Sequence, residues 1–177
     1  MIATGKRFEL IFLASLPSLI TLGLAIFFLS SKHLSGLGQF MPALPLMPVF
    51  YWGLTYSRDM PYWFLFVLGL AMDAVMGAPL GLSSLLYMAF LKLTRMQRRF
   101  IHKEGFVIKW GYFAILLAVI DLLDATGLVF FNASIIRIEA ALLQWLLTVC
   151  CYPILHKIFD GLAEHISSRR WQILHGS

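Results

Sequence analysis

A chain of 177 residues that is 60% apolar and only 13% charged lies far from the roughly 45–50% apolar, 25% charged make-up of soluble domains, and a soluble domain of this size has too little interior to hide so much apolar surface. Its two cysteines are neighbours, Cys150 and Cys151, which excludes a disulfide framework and a four-cysteine zinc site. A formal net charge of +5 has its best use in fixing membrane topology, so the chain reads as a small polytopic membrane protein with no separate soluble domain.

A hydrocarbon core about 30 Å thick takes roughly 20 apolar residues of helix. The first such segment is 8–30, preceded by Lys6 and Arg7. It is too long for a signal peptide, and no small-residue cleavage site follows, so it is predicted to be an uncleaved helix kinked at Pro17. The second, 40–54, is short and carries Pro42, Pro45 and Pro48, each removing a backbone donor. A broken, tightly packed span or a partly re-entrant segment is expected there, because lipid does not satisfy the freed carbonyls. The third, 62–78, is apolar except for Asp73 and is closed by Gly77 and Pro79; the fourth starts at Leu80 and runs to Leu93, ending in a basic stretch through Lys103. The fifth, 107–131, contains Asp121 and Asp124, and the sixth, 135–159, contains Arg137, Glu139 and Pro153. This divides the chain into a six-helix membrane domain, 1–160, and a basic cytoplasmic tail, 161–177. Ile158, Leu162 and Ile166 recur every fourth residue with Trp171 beyond, a stripe that suits either an interfacial extension of the sixth helix or a packing face for a partner.

Charge decides the orientation. With a cytoplasmic amino terminus and six spans, the inner side receives Lys6, Arg7, Arg58, Lys92, Arg95, Arg98, Arg99, Lys103, Lys109, Lys157, Arg169 and Arg170, and the outer side only Lys32 and Arg137. That asymmetry is strongly positive-inside and puts both termini in the cytoplasm.

Ionisable groups at membrane depth are functional candidates by default. In this orientation Asp73, Asp121, Asp124, Arg137 and Glu139 all fall in the outer half. Asp121 and Asp124 are spaced to share a helix face, and Arg137 is the cation at that depth, so an Asp124–Arg137 pair is expected. The group reads as a buried polar network holding helices in register, as a polar pocket open to the outside, or as a proton path. His156 sits at the opposite end, and no metalloprotease, nucleophile-elbow or phosphate-loop pattern occurs. Neither catalysis nor a cofactor or metal is therefore expected. The loop carrying Lys92, Arg95, Arg98, Arg99 and Lys103 suits anionic lipid at about 1 kcal/mol per basic residue, or serves topology alone. Nucleic acid is not an expected partner of so short a tethered loop, and Cys150 and Cys151 read as packing residues at lipid depth.

The most distinctive pattern is Phe66-Val-Leu-Gly69-Leu-Ala-Met-Asp73 followed by Gly77-Ala-Pro79-Leu-Gly81. It resembles the central motif of the rod shape-determining MreD family, in which F-x-x-G-L-x-x-D precedes G-x-P-L-G and a further apolar helix. Pro48, Tyr51-Trp52-Gly53-Leu54 and Pro61 before the motif, and Tyr152-Pro153 in the last helix, are similar to that family too. The carry-over reaches Gly69, Asp73, Gly77, Pro79 and Gly81; the types suit a tight outer turn, with Pro79 opening the fourth helix and Asp73 anchoring the turn from below. The resemblance implies an all-α bundle of about six transmembrane helices, similar to the S components of energy-coupling factor transporters. It also implies a non-enzymatic protein of the bacterial inner membrane that binds MreC and works with MreB, RodZ, a SEDS glycosyltransferase and its transpeptidase in peptidoglycan synthesis. A homodimer is compatible with it. The alternative from the same fold is a vitamin-capture subunit with an outward pocket.

Overall fold

The computed structural model describes residues 4–34, 41–56, 60–101, 103–131 and 138–175. Among these are six α-helices and no strand: α1 (Thr4–Leu34), α2 (Leu46–Thr55), α3 (Tyr62–Met76), α4 (Leu82–Ile101), α5 (Phe106–Phe130) and α6 (Ile138–His175). Within α1, α5 and α6, the stretches Leu13–Ser31, Phe106–Phe130 and Ile138–Arg169 are long and apolar enough to cross a membrane, which marks the chain as a membrane protein. α3 is apolar but has only 15 residues. α4 reaches 20 residues by continuing as helix from its apolar part through most of the basic stretch expected to end it.

The helices form a ring. α3 packs on α4, α4 on α5, α5 on α6, α6 on α1 and α1 on α3, while α2 touches α1, α4 and α6 from inside. Every residue from Leu46 to Leu54 is buried. The prolines that made this segment look broken do not break it. Pro42 precedes the helix, Pro45 caps it and Pro48 falls in its first turn, where backbone N–H groups have no intrahelical acceptor and proline costs little. The result is a regular helix of 10 residues, about 15 Å long. That is half the thickness of a hydrocarbon core, and it is tolerated at membrane depth because protein, not lipid, surrounds it. Gly53 permits the approach to α4: a Cβ there would lie 2.9 Å from a Leu91 methyl.

Aromatic side chains fill the space between α2 and the ring. Phe50 meets Phe90, Tyr112, Phe113 and Tyr152 at centroid distances of 5.1–6.3 Å, and Phe113 stacks on Tyr152 at 4.3 Å. Tyr51, on the same helix, donates a hydrogen bond of 2.6 Å to Asp160, which also lies 2.9 Å from His156. Together with the bond from the Ala43 N–H to the Thr148 hydroxyl, this aligns α2 with α6 in the same direction.

Pro153 lies inside α6 and so leaves the Val149 carbonyl without its helical donor. The Trp110 indole N–H fills that role at 2.9 Å, and Trp145 returns the contact from α6 to the Ala114 carbonyl of α5 at 3.0 Å. These two bonds clasp the first half of α5 to residues 145–149 of α6. α6 continues without interruption through residues 161–175. Its inward stripe there is Phe159, Ala163 and Ile166, whereas Ile158 and Leu162 are exposed, so only Ile166 of the anticipated stripe packs against the bundle.

Candidate functional site

The α3–α4 hairpin is built by the residues of the glycine-aspartate pattern. Gly77 and Gly81 both take left-handed backbone angles, φ +67° and +99°, which side chains with a Cβ adopt only at a cost. Asp73 is fully buried. Its carboxylate accepts the Gly81 N–H at 2.8 Å and the Ser83 N–H at 3.2–3.3 Å, and its own carbonyl accepts the Ala78 N–H at 3.1 Å. One residue thus holds both arms of the turn. Gly69 lets α4 come close: a Cβ at this position would lie 2.4 Å from the backbone of Ser84, whose hydroxyl donates to the Phe66 carbonyl at 2.9 Å. Pro79 sits in the turn, and its carbonyl accepts the Leu82 N–H that begins α4.

Inward of this hairpin lies a cavity of about 110 Å³ to which all six helices or their caps contribute. Its polar wall consists of Asp121 and Asp124 from α5, Ser83 and Tyr87 from α4, and Gln144 from α6. The shared face expected for the two aspartates is therefore present, and it lines one space with Ser83, Tyr87 and Gln144, which the sequence did not single out. Arg137 lies outside the described residues, so the expected Asp124–Arg137 pair does too. Glu139 stands in the first turn of α6 and is exposed, apart from this wall. A second, apolar space of about 800 Å³ opens between the C-terminal half of α5 and the N-terminal part of α6, and Asp121 lines both spaces.

The basic residues separate into two sets. Arg95 donates to the Met60 carbonyl and lies over the Tyr62 ring at 4.6 Å, and Arg98 donates to the Thr55 carbonyl at 2.8 Å. Both are turned toward the segment joining α2 to α3 instead of outward to lipid. Lys92, Arg99 and Lys103 are exposed. Cys150 is exposed and Cys151 half-buried, both as free thiols.

Two features escaped the sequence reading. The Tyr51–Asp160–His156 group is signalled only by the i,i+4 spacing of His156 and Asp160; Tyr51 joins it from a distant part of the chain. The tryptophan clasp is signalled by Pro153 alone, which announces an orphaned carbonyl without naming its donor. Among the described residues no group of three or more His, Cys, Asp or Glu side chains could hold a metal ion. The described residues thus form a braced helical bundle that encloses a small chamber with a polar wall. Compared with family models, curated proteins and solved structures, the chain matches none.

Proposed function

We propose that the chain is an MreD-like, non-enzymatic component of the bacterial cell-elongation machinery, binding an MreC-like bitopic protein through contacts between helices in the bilayer. It crosses the inner membrane six times with both termini in the cytoplasm, α2 making its crossing within the protein interior. One observation carries this reading. Each residue of the motif that resembles the family, Gly69, Asp73, Gly77, Pro79 and Gly81, is engaged in building the α3–α4 hairpin, which supports a scaffolding role for the motif. The short connections favour the same reading, since little of the chain projects beyond its helices. A partner must then be met through lipid-facing side chains, where packing rather than hydrophobic drive decides association. Trp63, Phe66 and Val67 on α3 form an exposed apolar strip suited to this. MreB, RodZ, the SEDS glycosyltransferase and the transpeptidase belong to the same proposal as members of the assembly.

The S-component-like alternative, capture of a vitamin, draws support from the central chamber. At about 110 Å³ that chamber alone lies well below the roughly 300–1,000 Å³ of ordinary ligand pockets, and the larger space beside it, between α5 and α6, is lined almost wholly by apolar side chains, which do not suit a water-soluble vitamin. Purification of the tagged chain from a rod-shaped bacterium in mild detergent tests the choice. A bitopic MreC-like protein in stoichiometric amount, with no nutrient retained, is the expected result. A retained water-soluble nutrient and no membrane partner would reverse it.

A further inference from the structure

The two spaces that share Asp121 differ sharply in character. The outer one is a wedge between α5 and α6, kept open by the small side chains of Ala118, Ala125 and Ala141 and floored by Trp145. Its volume of about 800 Å³ is roughly five times that of an apolar cavity of about 150 Å³ that takes up benzene, so it accommodates a long hydrocarbon chain. It cannot hold water favourably, because Asp121 is the one ionisable group on its wall among the described residues. The inner space is mixed. Asp121, Asp124, Ser83, Tyr87 and Gln144 form a polar wall facing apolar side chains of α1, α2 and α3, and its volume of about 110 Å³ suits a headgroup of a few non-hydrogen atoms, given about 30 Å³ for each water in the liquid. Among the described residues neither the Asp121 carboxylate, the Tyr87 hydroxyl nor the Gln144 amide has a hydrogen-bond or ion-pair partner, although all three face this space.

An apolar wedge that ends at a carboxylate, behind which lies a small chamber with a polar wall, has the shape of a binding site for an amphiphile. The sign of the charge selects among headgroups. A carboxylate in a low-dielectric setting favours a cation and disfavours a phosphate or another carboxylate. We propose that this site binds a single-chain amphiphile with a primary-amine head, its ammonium donating to Asp121, with Tyr87 and Gln144 within the same chamber, and its chain lying in the α5–α6 wedge. A single chain is preferred to a partner's helix because the wedge narrows to the tryptophan clasp, where α5 and α6 are hydrogen-bonded to each other.

The test uses the full chain in phosphatidylcholine nanodiscs with a hexadecylamine carrying a photoactivatable diazirine in its chain. Label is expected on residues 118–130 and 138–145, with hexadecylamine competing at least about tenfold more effectively than hexadecanol, the factor that corresponds to about 1.4 kcal/mol. Asp121→Asn should bring the two competitors to parity while leaving the elution profile unchanged. Ala125→Trp, or Ala141→Trp if the first variant does not fold, should remove the label by filling the wedge. Label spread evenly over the lipid-facing residues of α1 and α3, or hexadecanol competing as well as the amine against the unmodified chain, would overturn the proposal. So would labelling in native membranes that is blocked because a partner's helix cross-links to the wedge.

Discussion

Asp73 concentrates the turn contacts in one buried side chain and its carbonyl, and the chemistry of each contact sets what replacement does. The Oδ2 oxygen reaches both the Gly81 and the Ser83 N–H groups, so Asp73→Asn with its amide oxygen in that position keeps both donors paired. Asp73→Leu pairs neither, and each unsatisfied buried group costs about 1–3 kcal/mol. Thermal unfolding in detergent should therefore rank Asn close to the parent and Leu far below it. Equal losses from both would show that charge, rather than hydrogen bonding, is what the site needs. Gly69→Ala should be costly for a different reason, since its methyl would meet Ser84 backbone at 2.4 Å and backbone cannot swing aside; overpacking of this kind costs about 1–3 kcal/mol. Gly23→Ala, with nothing within 4 Å of the new methyl, is the matched control and should be neutral or stabilising by up to about 1 kcal/mol. These residues were legible in the sequence because the turn closes within a short stretch of chain, so its glycines and aspartate stand close together there. Tyr87 and Gln144 were not, because the wall they share with Asp121 exists only once α4, α5 and α6 are assembled.

At the scale of elements, the prolines carry the lesson. Composition alone counts Pro42, Pro45 and Pro48 as breakers. Their position relative to the helix start makes them initiators, and the boundary that decides between the two is set by tertiary packing around α2. Pro153 works the other way, inside a helix, and its lost hydrogen bond is taken over by Trp110. This predicts a specific coupling. Trp110→Phe should lose about 1–3 kcal/mol by leaving the Val149 carbonyl unpaired. In a Pro153→Ala background the backbone N–H restored at position 153 serves that carbonyl, and the loss should shrink. A double-mutant cycle on unfolding in detergent measures this; strictly additive losses would contradict the clasp. The charged α4 extension shows the same limit of sequence reading. A run of Lys and Arg announces a membrane boundary, but only the fold tells that Arg95 and Arg98 direct their guanidinium groups to the carbonyls of Met60 and Thr55.

For the whole molecule, apolar composition was enough to give a helical membrane protein, while ring closure through α1 and the enclosure of α2 depend on contacts between distant segments. Among the described residues three helices have the length and apolarity to cross by themselves, so the remaining crossings of the proposed six rest on α3, α4 and the enclosed α2. Gly5→Cys and Gly176→Cys, in a chain carrying Cys150→Ala and Cys151→Ala, should both resist a membrane-impermeant thiol reagent applied from outside and react once the cells are opened. Labelling of either in intact cells would remove the six-crossing topology and its charge asymmetry. The proposed role is that of a braced bundle that supports wall elongation by holding a partner in the bilayer. Its most direct test is depletion of the protein from a rod-shaped bacterium, followed by microscopy in minimal and in nutrient-supplemented medium. The account predicts rounding of the cells to the same extent in both media; rod shape restored by a supplied nutrient would contradict it.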